Sequence, residues 1–196
     1  MSIQDQRILK MSLCGGHAVG KSSIGSRIAK QEPYLDYNPT IGVDYFARRL
    51  PNYNAKISIW DLSGDRRFDT ITAPYIKGTT IILYVYDITR YESVMELDRL
   101  HILYKGVSNL NNVKIIVVGN KTDKVSCLYN CVIFGKIFAE KLQVPHIEVS
   151  AKTNEGMDEL LSLIIQETNL EKITIIPNTD TNTDLLRTCR DCCVVS

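Results

Sequence analysis

The 196-residue chain predicts an α/β fold: a six-stranded, mostly parallel sheet with one antiparallel edge strand and about five helices. Three observations predict it. Strand-length apolar runs alternate with longer helical stretches, a pattern that yields parallel strands with helices on both sheet faces. The link between the second and third runs is short, which suggests a hairpin and hence one antiparallel strand. Finally, every segment that looks chemically equipped lies in a loop after a strand, as doubly wound sheets require. The alternation alone does not give the strand order.

The first strand, residues 8–14, runs straight into Gly15-Gly16-His17-Ala18-Val19-Gly20-Lys21-Ser22 and a helix over 21–31 that opens with Ser23 as its third residue. The octet fits G-x-x-x-x-G-K-[ST], and a strand before and a helix after are the context that pattern needs. Its glycines let backbone N–H groups surround phosphate oxygens, and the helix adds its positive N-terminal dipole. Lys21 is placed to reach β- and γ-phosphates and the Ser22 hydroxyl to enter the shell of a magnesium ion. A plain glycine-rich turn would not need that spacing.

Strands follow at 43–50 and 56–61. The second of these alternates as Ile57-Ser58-Ile59-Trp60-Asp61 and is followed by Leu62-Ser63-Gly64. A carboxylate at the carboxyl end of such a strand lies beside the phosphate loop and can hold the metal, usually through water. A helical stretch at 67–77, a strand at 80–86 and a helix at 91–106 come next. The strand at 113–119 delivers Asn120-Lys121-Thr122-Asp123. Cys127 and Cys131 could be half of a metal site, but no second pair lies nearby, so the face of a helix over 131–142 is the better reading. A strand at 145–149 precedes Ser150-Ala151-Lys152 and a helix over 155–170.

Composition agrees. The chain is 44% hydrophobic and 23% charged, ordinary for a globular protein, and its length suits one domain plus a tail. A net charge of +1 argues against nucleic-acid binding, which needs a basic stripe. The run at 8–14 is interrupted by Lys10 and is too short for a secretory signal, and no run approaches membrane-spanning length. Three of six cysteines (Cys189, Cys192, Cys193) crowd the end while Cys14, Cys127 and Cys131 scatter, which suits a reducing cytosol better than a disulfide framework.

These blocks, in this order, resemble a small GTPase of the Ras superfamily, most closely a Rab protein, over about residues 7–170. The resemblance implies a P-loop NTPase G domain there, a short extension at 1–6 and a hypervariable tail at 171–196. Asn120-Lys121-Thr122-Asp123 matches the guanine-recognition motif and Ser150-Ala151-Lys152 the second base-contacting loop. The physical logic is independent: guanine offers paired N1–H and N2–H donors that Asp123 can accept, whereas adenine would leave a desolvated carboxylate unsatisfied. Thr40-Ile41-Gly42-Val43-Asp44-Tyr45, Tyr75-Ile76-Lys77-Gly78 and Leu83-Tyr84-Val85-Tyr86-Asp87-Ile88-Thr89 are similar to Rab signatures.

The family relation implies bound GTP or GDP with Mg²⁺, held by Ser22, Thr40 and Asp61, and a γ-phosphate sensed by Thr40 and Gly64. Tyr37 matches a switch tyrosine that covers the phosphates. Pro33 stands where a ribose-side aromatic is usual, and Tyr34 is the candidate substitute. Tyr45, Trp60 and Tyr75, with Ile41 and Val43, match the effector-contacting surface. Effectors, an exchange factor, a GTPase-activating protein and a prenyl-binding escort or dissociation inhibitor are the implied partners of a monomer that cycles between cytoplasm and the cytoplasmic face of an endomembrane.

Two positions depart from the family. Asp65 replaces the Gln that orients the attacking water in Ras. It cannot donate a hydrogen bond when ionised, is one methylene shorter, and brings negative charge toward an anionic group. His17 stands where a small residue is usual and crowds the space for water and an activating arginine. Slow intrinsic hydrolysis is the expectation, and two escapes stay open: His17 neutralising Asp65, or an activator supplying its own Arg and Gln. The alternatives are a hydrolysis-poor, GTP-bound membrane scaffold or a Ras/Rho-like signalling protein.

The terminus, Cys189-Arg190-Asp191-Cys192-Cys193-Val194-Val195-Ser196, fits C-a-a-X prenylation at Cys193 and also resembles Rab ends that are doubly modified. From Glu171 onward Lys172, Arg187 and Arg190 face Glu171, Asp180, Asp184 and Asp191, a net charge of −1. Without a basic patch one lipid holds weakly, so lipids on both Cys192 and Cys193 are favoured. The polar Pro177–Asp184 stretch reads as a tether.

Overall fold

Unbroken apolar runs and alternating ones take different places in the sheet. The computed structural model describes residues 6–29, 39–124 and 129–172. Its strands are β1 (Arg7–Cys14), β2 (Val43–Leu50), β3 (Ala55–Leu62), β4 (Ile81–Asp87), β5 (Lys114–Asn120) and β6 (His146–Val149). They form one sheet in the order β2-β3-β1-β4-β5-β6, parallel throughout except for the antiparallel β2–β3 pair. A 3-10 turn at Pro51–Tyr53 closes that hairpin, with Leu50 paired to Ala55.

Every residue of β4 is buried. Because side chains alternate across a strand, one strand feeds two cores. Ile81, Leu83 and Val85 join the cluster beneath α1 (Lys21–Ile28) and α5 (Met157–Glu167), with Ile24, Ile28, Leu160 and Ile164. Ile82, Tyr84 and Tyr86 join the opposite cluster under α3 (Tyr91–Val107) and α4 (Tyr129–Leu142), with Leu97, Leu100, Tyr104 and Phe138. β3 behaves otherwise. Ala55, Ile57 and Ile59 are buried, but Lys56, Ser58 and Trp60 point to a face that stays half-exposed. This is the physical origin of its alternating sequence.

The strands begin and end within about a residue of the sequence expectation. The helical stretch expected at 67–77 differs: it is a 3-10 turn (Arg66–Phe68), one α-helical turn, α2 (Asp69–Thr72), and a second 3-10 turn (Ala73–Ile76). Pro74 has no N–H to donate to the preceding turn, and Thr70, Ile71 and Thr72 are β-branched, so a regular helix is disfavoured. The expected 21–31 helix is described to Ile28, with Ala29 at its end. Cys131 lies buried on α4, in keeping with the helix-face reading; Cys127 is outside the described residues. Among the described residues no cluster of three His, Cys, Asp or Glu side chains could hold a metal, and no helix is long and apolar enough to cross a membrane.

Candidate functional site

The carboxyl ends of β1, β3, β4, β5 and β6 converge on the loop between β1 and α1. Within that loop Ala18 and Gly20 take left-handed φ values of 57° and 96°. A Cβ at Gly20 would lie 2.2 Å from Asn120 Nδ2, so position 20 requires glycine twice over. Five consecutive carbonyls accept bonds from side chains. Lys21 Nζ donates to Gly15 O (3.0 Å) and Gly16 O (2.8 Å), Arg90 Nη2 to His17 O (2.5 Å), Lys121 Nζ to Ala18 O (2.6 Å), and Asn120 Nδ2 to Val19 O (2.8 Å). A peptide plane carries its N–H opposite its carbonyl. Engaged carbonyls therefore fix where the amides point, which is how such loops make concave anion sites. Val19 is buried in the core beneath α1, and Ser22 and Ser23 open that helix.

Beside the loop, three oxygen-bearing side chains from three segments meet. Ser22 Oγ donates to Asp61 Oδ2 at 2.5 Å and lies 3.1 Å from Thr40 Oγ1, and Thr40 donates to the same Asp61 oxygen at 3.3 Å. Asp61 Oδ1 is buried with no hydrogen-bond partner. Burial raises the Asp61 carboxyl pKa, against the opposing pull of the Lys21 ammonium, and burial lowers that of Lys21. Both charged groups are thus disfavoured as they stand. One carboxylate plus two hydroxyls is the donor set a magnesium ion takes when phosphate and water complete its octahedron. The orphaned oxygen fits that ion. Gly64 packs against the phosphate loop so closely that a Cβ would sit 2.3 Å from Gly16 O.

Asp65 stands apart from what the sequence suggests. Its Oδ1 accepts from Arg67 N (3.0 Å) and Arg67 Nε (3.1 Å), its Oδ2 from Arg67 Nε (2.9 Å) and Nη2 (2.6 Å). It caps the 3-10 turn that follows it. The Arg67 guanidinium holds its carboxyl at a pKa of about 2, with only a minor contribution from His17. Neutralisation therefore comes chiefly from Arg67 rather than from His17.

The two base-side loops are tied to each other and to the phosphate loop. Asn120 Oδ1 accepts from Ala151 N (3.1 Å), and Ser150 Oγ donates to Asp123 Oδ1 (2.7 Å). Lys152 Nζ stands 3.9 Å from Asp123 Oδ2. Lys121 Nζ also pairs with Asp87 Oδ2 at 2.6 Å, and Asp87 Oδ1 accepts from the Thr89 backbone and hydroxyl. Arg27 on α1 donates to the carbonyls of Ala151 and Lys152, both at 2.8 Å. Sequence reasoning missed Arg27, Arg67, Asp87 and Arg90 as site residues. For Asp87 a signal existed, a carboxylate ending a buried strand like Asp61; Arg27 carries none.

On the half-exposed sheet face the three aromatics pack in series. Tyr45 and Trp60 have ring centroids 5.3 Å apart and Trp60 and Tyr75 5.2 Å. Ile41 is 80% exposed, and Val43 is half-buried beside them. Ile8, Lys10, Tyr45, Ser58 and Trp60 line a cleft of about 450 Å³. Tyr34, Tyr37, Cys192 and Cys193 lie outside the described residues.

Comparison with known proteins matches residues 10–170 to the Ras family model. Ras-related protein RABA6b of Arabidopsis thaliana is 36% identical over 86% of this chain and 75% of its own length. GTP-binding protein ypt2 of Schizosaccharomyces pombe is 33% identical over 95% of this chain and 96% of its own. Ras-related protein Rab-1A of Dictyostelium discoideum is 34% identical over 82% and 80% respectively.

Proposed function

Since this chain belongs to the Ras family of small GTPases and is most like its Rab members, we propose that it binds GTP and GDP with magnesium and switches shape to recruit effectors in vesicle traffic. The observation that carries this reading is the meeting of Ser22, Thr40 and Asp61 beside Lys21, with one buried carboxylate oxygen left over. Thr40 belongs to the segment before β2 and Ser22 to the phosphate loop, so whatever they hold in common ties the first switch to the nucleotide. Ser22, Thr40 and Asp61 would hold the magnesium ion, which would supply positive charge to the phosphate oxygens. Lys21 binds the β- and γ-phosphates, the loop amides surround them, and Gly64 offers its backbone to the γ-phosphate. Asn120, Lys121, Asp123, Ser150, Ala151 and Lys152 enclose the guanine. Loss of the γ-phosphate releases Thr40 and Gly64, which changes the surface around Ile41, Val43, Tyr45, Trp60 and Tyr75 where effectors dock.

Hydrolysis itself is slow in this reading. Asp65 is engaged on Arg67 and supplies no donor for the transferring phosphoryl group, while His17 narrows the approach. A GTP-bound platform on a membrane is the second reading, favoured by the same two residues. Analysis of the nucleotide that co-purifies, followed by single-turnover hydrolysis, separates them. A measurable rate, stimulated by an activating protein, supports the switch; no turnover at all favours the platform. Calorimetry showing equal affinity for guanine and adenine nucleotides would end both.

A further inference from the structure

Arg90 has no part in the roles above, yet it closes a ring around the phosphate loop. Its Nη2 donates to His17 O at 2.5 Å, and its Nε lies 3.6 Å from Asp87 Oδ2. The same Asp87 oxygen takes Lys121 Nζ, which returns to the loop at Ala18 O. Two adjacent loop carbonyls are thus held by two cations that share one carboxylate. That carboxylate is 2% exposed. Its other oxygen is occupied by Thr89, so it cannot turn away.

The base of Arg90 is equally fixed. Its N–H donates to Asp87 O (3.0 Å), and its carbonyl accepts from Ser93 Oγ (2.6 Å) at the start of α3. A preset guanidinium loses little freedom when it binds. Removing Arg90 takes this donor from the His17 carbonyl, and the same peptide presents the next amide of the loop.

We propose that Arg90 is a positioning residue for nucleotide binding: it fixes the His17–Ala18 segment against the phosphates and links it, through Asp87, to Lys121 of the base loop. This rests on the guanine-nucleotide reading. Arg90 touches the loop and not the substrate, so it acts through the backbone amides. A charge-assisted bond of this kind is large enough to change nucleotide release about tenfold.

The test uses the full chain loaded with fluorescent GDP and Mg²⁺. Arg90→Ala is expected to release the nucleotide about tenfold faster and to displace the β-phosphorus resonance of bound GDP in ³¹P NMR. Arg90→Lys is expected to recover much of both, because an ammonium also reaches a carbonyl. A merely structural arginine at the start of α3 would lower the urea midpoint and leave the phosphorus resonance in place. Release within twofold of the parent with an unmoved resonance overturns the proposal. A parent chain that holds no guanine nucleotide would instead overturn the function on which the ring depends.

Discussion

At the scale of single residues, the proposed slow hydrolysis turns on Asp65, and two causes can be separated: its charge or its reach. Arg67 gives its carboxylate four hydrogen bonds, so its charge is balanced chiefly within two residues of chain. Its pKa of about 2 keeps it ionised at any physiological pH. If charge were the brake, Asp65→Asn would release it. We expect instead that Asn, equally short and well placed to cap the same turn, leaves single-turnover hydrolysis unchanged, whereas Asp65→Gln raises it about tenfold, a barrier change of about 1.4 kcal/mol. Equal gains from both substitutions would return the blame to charge. Lys21, Ser22 and Asp61 were legible in the sequence because spacing within one loop or at one strand end places them. Arg67 as the partner of Asp65, and Arg90 on the carbonyl of His17, were not. Pairs such as Arg90 and His17, 73 residues apart, follow from strand order, which alternation of elements leaves open.

Elements obey the same division. β4 and β5 announced their burial by unbroken apolar runs, and β3 its open face by alternation. The sequence suggests one helical stretch at 67–77, and Pro74 with three β-branched neighbours divides it. α4 holds a further constraint that spacing conceals. Gly135 faces the sheet, and a Cβ there would lie 2.2 Å from Tyr86 Oη and 2.3 Å from Cζ. That ring is buried and its hydroxyl bonds His146 Nε2 at 2.9 Å, so it cannot swing aside. Alanine is the better helix former by about 1 kcal/mol, yet here overpacking costs about 1–3 kcal/mol. Gly135→Ala should therefore destabilise the protein in urea. The companion Tyr86→Val, which removes the ring, should make the same Gly135→Ala neutral or favourable. Additive losses in the double variant would show that α4 does not rest on Tyr86.

For the molecule as a whole, stability responds to two half-buried histidines packed against tyrosines of β4. Tyr84 Oη lies 3.2 Å from His101 Nδ1, and Tyr86 Oη bonds His146. Burial lowers both histidine pKa values below 6.5, helped by Lys105 and Lys141 at His101 and by Lys136 at His146, against Asp98 and Glu148. Asp158 and Glu159 of α5 share a cleft with His146. Between each folded pKa and 6.5 the unfolded chain binds protons that the folded chain does not, so stability rises with pH there. The urea midpoint should fall as pH drops through 6.5 and level off below the folded pKa values. His101→Gln with His146→Gln should flatten the curve; a midpoint independent of pH in the parent would contradict this.

The two cores, the site and the aromatic face all lie before Lys172, and Leu170 still packs into the first core. The sequence that follows adds charge of the wrong sign for an acidic bilayer, so the membrane attachment we propose would depend on lipid. One prenyl chain binds a bilayer only marginally and two bind it stably. Removal of residues 173–196 should therefore leave nucleotide release and hydrolysis unchanged and abolish partition onto vesicles. Starting from prenylated full-length protein, Cys193→Ser and Cys192→Ser should each convert stable binding to rapidly reversible binding, and the double change should match the truncation. If Cys192→Ser alone has no effect, a single lipid on Cys193 holds the chain, and some other contact must then supply the second membrane signal that the charge of the tail denies it.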